Sequence, residues 1–308
     1  MSYAQPSLMP SFTRPPSRVA IVRSDSYERD LGALLFEALR EFDPPVSGKK
    51  VVLKPNFVEP DPEGIINTHP AVVAAAREAF LRLGADSVRV AEGPGHERDT
   101  EGIVETLRLR DFLGPLHDIF VDLNLDEVHP VKLRTQASRL KQLYFPRTVL
   151  EADYFVSLPK LKTHHWVGVT LSLKNMFGIV PGCCYGWPKN ILHWAGIVNS
   201  ILDLNSTVRP DFAIVDGIIG MEGNGPIQGS AKASGVLVLG DDPVAVDSTC
   251  ARVMGLDPRR IEYLSKAAML LGHLQEENIH QIGESVASVR TPFAVLPSFQ
   301  NLIASMPE

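Results

Sequence analysis

From residue 18 to residue 91 the chain alternates short, β-branched apolar runs with stretches of helical period. Strands fall at 18–22, 50–53 and 87–91, with helices at 31–42 and 70–83 between them. Parallel strands need a long crossover, and a helical crossover must bury its apolar stripe on the sheet it has just left. The pattern therefore predicts an α/β fold, a mostly parallel sheet with helices on both faces. Further strands are expected at 154–158, 212–215 and 236–239, and helices at 192–204, 244–254 and 261–271. The less regular segment 119–144 suits a small antiparallel excursion, and 286–290 an edge strand. Residues 1–17 read as a flexible Pro-rich tail. Residues 18–300 read as the α/β domain, long enough for two subdomains.

A chain of 308 residues that is 44% hydrophobic can bury a large core. Its formal charge of -6 lacks the basic excess that a phosphate backbone attracts, so no nucleic-acid partner is expected. No apolar run approaches the roughly eighteen residues that span a bilayer, and the proline-rich start lacks the apolar stretch of a secretory signal. The expectation is a cytoplasmic protein with no membrane contact. Three cysteines make no disulfide framework and no iron–sulfur cluster motif. The adjacent Cys183 and Cys184 read as small loop residues and Cys250 as core. Oligomeric state is not encoded in any pattern here.

The chemistry concentrates in one stretch. Lys160, Lys162, His164, His165 and Lys174 fall within fifteen residues, interleaved with apolar side chains and shaped by Pro159, Gly168, Gly178 and Pro181-Gly182. Charges set beside a core must be paired, neutralised or given a ligand, and a small anion is the partner that suits clustered lysines in an acidic protein.

Polar residues also follow five predicted strands: Lys54-Pro-Asn56, Glu92-Gly93, Lys160, Asp216-Gly217 and Asp241-Asp242. In open parallel sheets ligands bind outside the carboxyl ends of the strands, so the five are expected on one rim. There Lys54, Lys160, Lys162 and Lys174 would hold a carboxylate or phosphate. Crowding would lower a lysine pKa and make Lys174 a base or nucleophile, with Asn175 donating its amide to a neighbouring oxyanion. Asn56, Thr163 and Asp216 join the expected substrate-binding set. His69, His164, His165 and His193 suit proton transfer or a metal assembled across the fold, with His69, His164 and His193 as candidate ligands. His69 also stands where Thr68 would cap a helix beginning at Pro70. The segment 221–229 reads as a glycine-rich loop that matches neither nucleotide-binding fingerprint, with Glu222 as an acid or ligand opposite the lysines. Asp242 would cap the helix that follows it, and Asp247 is the odder residue, since its neighbours are apolar.

Taken as a set, Lys54-Pro-Asn56, Thr68-His69-Pro70, Glu92-Gly93, Pro159-Lys160-Leu-Lys162-Thr163-His164, Ser172-Leu-Lys174-Asn175-Met-Phe-Gly178, Asp216-Gly217, Met221-Glu222-Gly223 and Asp242-Pro243 resemble the family called domain of unknown function 362. The likeness runs from about Arg18 to about Gly272 and supplies no reaction. Relatives are often fused to iron–sulfur modules, a feature with no counterpart in these residues. A fainter likeness joins His164, Lys174, Pro181-Gly182 and His193 to the nickel-pincer lactate racemases. It implies that Lys174 is a cofactor attachment point, His193 a nickel ligand and His164 an acid–base group. The approach Thr170-Leu-Ser-Leu is bulkier than the glycine-rich approach of those enzymes.

The expectation is an enzyme acting on a small anionic, carboxylate-bearing substrate by Lys/His acid–base chemistry of the isomerase or lyase type, with Lys174, His164, His193 and Glu222 as catalytic residues. The alternatives are a centre dependent on a divalent metal or a nickel-pincer-like cofactor, and a non-catalytic binding or accessory protein.

Overall fold

A computed structural model describes residues 15–95 and 99–305. The first fourteen residues of the expected tail and His96 lie outside the described residues. The strands are β1 (Ser17–Arg23), β2 (Lys50–Pro55), β3 (Ser87–Glu92), β4 (Phe120–Asp122), β5 (Val128–Lys132), β6 (Gln142–Pro146), β7 (Tyr154–Leu158), β8 (Lys160–His164), β9 (Gly168–Thr170), β10 (Phe212–Asn224), β11 (Gln228–Gly240) and β12 (Ile279–Gly283). The main sheet runs β12-β1-β11-β10-β7-β2-β3-β4, with β8 branching from β10 and β9 from β8. From β10 to β4 every pairing is parallel, as is β12 with β1, while β11 lies antiparallel to both β10 and β1. The sheet is mixed and mostly parallel, with β5 and β6 forming the separate antiparallel excursion expected before residue 144.

Alternation along each strand divides the core in two. Val51, Leu53, Val156 and Ile214 face one layer, where Leu35 and Leu39 of the helix Leu31–Arg40 and Val72, Ala76 and Phe80 of the helix Pro70–Arg82 cover them. Val52, Phe155, Ala213 and Val215 face the other layer, covered by Ile201 and Leu204 and by Val246 and Cys250. Burying a side chain such as Leu35 contributes about 1.5–3 kcal/mol, so the two layers supply most of the driving force.

Several expectations are corrected. The predicted helix at 192–204 is two pieces, Ile191–Trp194 and Ile197–Thr207, because Gly196 takes a φ of 99° between them. The segment 286–290 forms the short helix Val286–Val289, and β12 is the edge strand. Segment 221–229 is no open loop: β10 and β11 continue as a hairpin to Asn224 and Gln228. Its tip needs Gly225, whose added Cβ would overlap the Thr163 carbonyl. His69, not Thr68, caps the helix Pro70–Arg82, its Nδ1 accepting from the Ala71 N–H at 3.2 Å. Thr68 instead donates to the Leu158 carbonyl (2.7 Å) and accepts from the Asn56 N–H (2.9 Å), tying the turn after β2 to β7.

Because β11 runs antiparallel, its carboxyl end reaches the opposite rim from β2, β3 and β7. Asp242 accordingly caps the helix Pro243–Val253 and accepts from Ser17 Oγ at 2.6 Å, at the start of β1. Four strand ends, not five, share the expected rim.

Candidate functional site

The carboxyl ends of β2 and β3 and the short helix Ser172–Asn175 meet in a buried polar floor. Lys54 Nζ donates to Glu92 Oε1 (2.9 Å) and Oε2 (2.7 Å), to the Pro55 carbonyl (2.9 Å) and to Asn175 Oδ1 (3.0 Å). Glu92 also accepts from the Phe57 and Gly93 N–H groups, and Asn175 Nδ2 donates to the Lys54 carbonyl and Ser157 Oγ. Burial pushes the Lys54 ammonium down and the Glu92 charge restores part of the loss. Every polar atom of the Asn175 amide is committed here, so it is not free to stabilise an oxyanion.

Above this floor lies a cavity of about 360 Å³. It collects Lys54, Asn56, Lys162, His164, Lys174, Asn175 and His193 from the expected set. Among the described residues four lysines line it, the fourth being Lys189, against the single carboxylate of Glu92. The lysines differ in what their Nζ atoms touch. Lys162 donates to the carbonyls of Ile66 (2.7 Å) and Pro226 (3.3 Å), and Lys189 to those of Gly93 and Gly178. Lys174 makes no hydrogen bond or ion pair to a described residue, and its Nζ stands 3.8 Å from the Phe177 ring centroid. Burial brings Lys162, Lys174 and Lys189 each down to about 7. The charge of Lys54 adds to the effect on Lys174, and the charges of Lys160 and Lys174 to that on Lys162.

The histidines carry defined tautomers. His164 Nδ1 accepts from the Trp166 N–H at 3.0 Å, which leaves its proton on Nε2, and burial keeps the ring neutral by holding its pKa well below 6.5. His165 Nδ1 donates to the Gly225 carbonyl at 2.8 Å, the reverse assignment. Burial and the Lys174 charge bring His193 to about 4, and its Nδ1 has no partner. Asn56 Oδ1 and Thr170 Oγ1 are likewise buried without partners, and both residues line the cavity.

Five expected residues are placed elsewhere. Lys160 Nζ pairs with Asp216 Oδ2 (3.0 Å) and with the Tyr27 hydroxyl (2.8 Å), which itself donates to Asp216 Oδ1. His69 stacks on Tyr27 with ring centroids 3.7 Å apart, and its backbone N–H donates to Asp216 Oδ2 at 3.0 Å. In this cluster Lys160, Tyr27 and Asp216 bond to one another, away from the cavity. The register between β8 and β10 shifts between Asp216↔Lys160 and Met221↔Lys162, so lysines two residues apart meet different neighbours. Thr163 Oγ1 donates to the Gly223 carbonyl (2.9 Å), locking the hairpin. Glu222 pairs with Lys232 (3.3 Å) and accepts from the Ala294 N–H, so it does not oppose the lysines. With His69 in the other cluster, the proposed His69, His164 and His193 ligand set does not converge. Among the described residues no group of three or more His, Cys, Asp or Glu side chains is placed to hold an ion.

Sequence reasoning missed Thr170 and Lys189. Thr170 reads as an ordinary strand residue, and Lys189 follows Trp187-Pro188 in a stretch without period, where nothing marks it. Cys183 and Cys184 are exposed with sulfurs 3.9 Å apart, and Cys250 is buried, as expected.

The chain belongs to the family described as domain of unknown function (DUF362), matched over residues 51–252, which includes every cavity-lining residue discussed above. It is 29% identical over 259 residues to a thylakoid-associated protein of Synechocystis, covering 79% of this chain and 76% of that one. Among solved structures, a Thermotoga maritima protein aligns with a TM-score of 0.46 and 14% identity, over 74% of this chain and 59% of that one. The lactate racemase apoprotein from Thermoanaerobacterium thermosaccharolyticum aligns with a TM-score of 0.40 and 14% identity, over 70% and 52% respectively. The chain thus spans between half and three-fifths of these two structures. Among the described residues no helix is long and apolar enough to cross a membrane.

Proposed function

We propose that the protein is an enzyme that moves a proton on a small carboxylate-bearing substrate, with Lys174 as the base that takes and returns the proton and the neutral His164 ring as a hydrogen-bond donor. The observation that carries this reading is the isolation of the Lys174 amine. Of the four cavity lysines only this one has an Nζ bonded to no described residue, while the other three are spent on carbonyls or Glu92. An amine at about 7 is divided between its two forms near neutral pH, which suits both ends of a proton transfer. The surplus of lysines over carboxylates favours an anion. Thr170 Oγ1 and the neutral His164 Nε2–H supply hydrogen bonds without adding charge.

The test is incorporation of solvent deuterium at the carbon next to the carboxylate, followed by NMR across a panel of 2-hydroxy, 2-amino and unsubstituted acids. Exchange that is lost in both Lys174→Ala and His164→Ala supports the assignment. Exchange surviving at the parent rate in both variants removes it.

A second reading uses the same two free atoms. A cofactor attached through Lys174 and ligated by His193 fits the unpartnered Nζ and Nδ1, and would supply an electrophilic metal centre that this set of side chains lacks. In that case Lys174 holds the group and is not available as the base, and the His164 Nε2–H remains a hydrogen-bond donor. Intact mass and elemental analysis after expression with nickel distinguish the two: an adduct on the Lys174 peptide with stoichiometric metal favours the second.

A further inference from the structure

The walls of the cavity constrain the substrate more than its charged head does. His193 lies edge-on to Trp166 (5.2 Å) and to Phe177 (5.6 Å), so three rings form one continuous aromatic wall. Phe57, Pro226 and Ile227 continue the apolar lining. Trp166 is 60% exposed, although it belongs to this wall. The unpartnered Thr170 Oγ1 and Asn56 Oδ1 and the Lys174 amine supply a compact polar end. An acid the size of acetate would leave most of a 360 Å³ space to water, about ten molecules at roughly 30 Å³ each, part of it against the apolar faces of Phe57, Trp166, Phe177, Pro226 and Ile227.

Resting on the acid-binding reading above, we propose that the substrate is an aryl-substituted acetate, a planar ring joined to the carboxylate through the carbon that exchanges its proton, with the ring seated against Trp166 and Phe177 and the acid group toward Lys174 and Thr170. The rings of the wall meet edge to face, and a planar guest extends that packing where a flexible chain would not. Trp166 is then a specificity-determining residue whose exposed face is covered by the ligand.

The experiment uses the full chain and three acids that share an acetate head: acetate, phenylacetate and 2-naphthylacetate, with affinities measured by calorimetry. The expected order is 2-naphthylacetate, phenylacetate, acetate, with at least about tenfold between the first and the last from the added buried area. Trp166→Ala, a change at an exposed position, is expected to weaken 2-naphthylacetate at least about fivefold, and acetate by less. Lys174→Ala is expected to weaken all three. Equal affinities for the three acids, or a Trp166→Ala protein that keeps the full preference, overturn the inference and leave the acid-binding reading standing. Binding of none of them overturns both.

Discussion

Asp247 holds the backbone N–H of Ser172 at 2.8 Å, with its second oxygen 3.0 Å from the N–H of Leu173, so a carboxylate on the helix Pro243–Val253 fixes the first turn of the short helix that carries Lys174. The residue has no solvent exposure, and burial raises its carboxyl to about 8 against the pull of the two N–H donors. A four-residue helix cannot hold itself in place, and this contact explains an acidic residue among apolar neighbours. Asp247→Ala strands two buried donors. It should lower stability by roughly 2–4 kcal/mol in urea unfolding, and lower deuterium exchange by loosening Lys174. Asp247→Asn keeps one acceptor and should recover part of both; equal losses in the two variants would speak against a positioning role.

If Lys174 is the base, its neutral form is the active one. With the amine at about 7 and His164 neutral throughout, kcat/KM should climb tenfold per pH unit below 7 and level off above it. A profile flat between pH 5.5 and 8.5 would assign the proton transfer to another group.

Lys54 and Glu92 form a buried ion pair joined at 2.7 Å, as Lys160 and Asp216 do at 3.0 Å. Removing one leaves the other uncompensated, so Glu92→Gln and Lys54→Met should each cost about 3–5 kcal/mol, while the double variant should cost less than their sum. Thermal or denaturant unfolding of the four proteins gives the coupling directly.

Much of the fold could be read from period alone. Strand β7 matches its expected bounds, and β1, β2 and β3 match theirs to within two residues, because each is a short apolar run between clear breakers. Direction could not be read. An apolar run has the same period whichever way it points, so β11 was expected to deliver Asp242 to the site rim when it delivers it to the other side. Within the site, Lys54, Lys174 and His164 were legible as a dense group of titratable residues beside strands. The assignment of partners was not: Lys160 finds Asp216 through a register shift between β8 and β10, and Glu222 finds Lys232 across the hairpin, and neither pairing leaves a local trace. Lys189 could not be found by spacing, since tertiary packing alone brings it to Gly93 and Gly178.

Lys162 should make stability depend on pH. Its amine falls from 10.5 to about 7 on folding, so between those values the unfolded chain binds the extra proton and stability rises with pH. The contribution is complete above 10.5 and is lost as pH falls through 7. Lys162→Met removes the titrating group, and its stability should rise between pH 7 and 10 less steeply than the parent's, by up to about 1.4 kcal/mol per unit. Parallel curves for the two proteins would mean that Lys162 stays charged when buried.

Thr170 separates ligand binding from folding. Its hydroxyl is buried, lines the cavity and bonds to no described residue, so folding incurs its desolvation without return. Thr170→Val replaces it with a methyl group of similar shape, suited to its place in β9. Stability should therefore hold or rise by up to about 1 kcal/mol. If the hydroxyl waits for a carboxylate, the same change should weaken phenylacetate by about ten- to a hundredfold, the worth of one hydrogen bond to a charged group. Calorimetry of a protein that is at least as stable as its parent then reads the lost contact alone, and unchanged affinity would place the acid group elsewhere in the cavity.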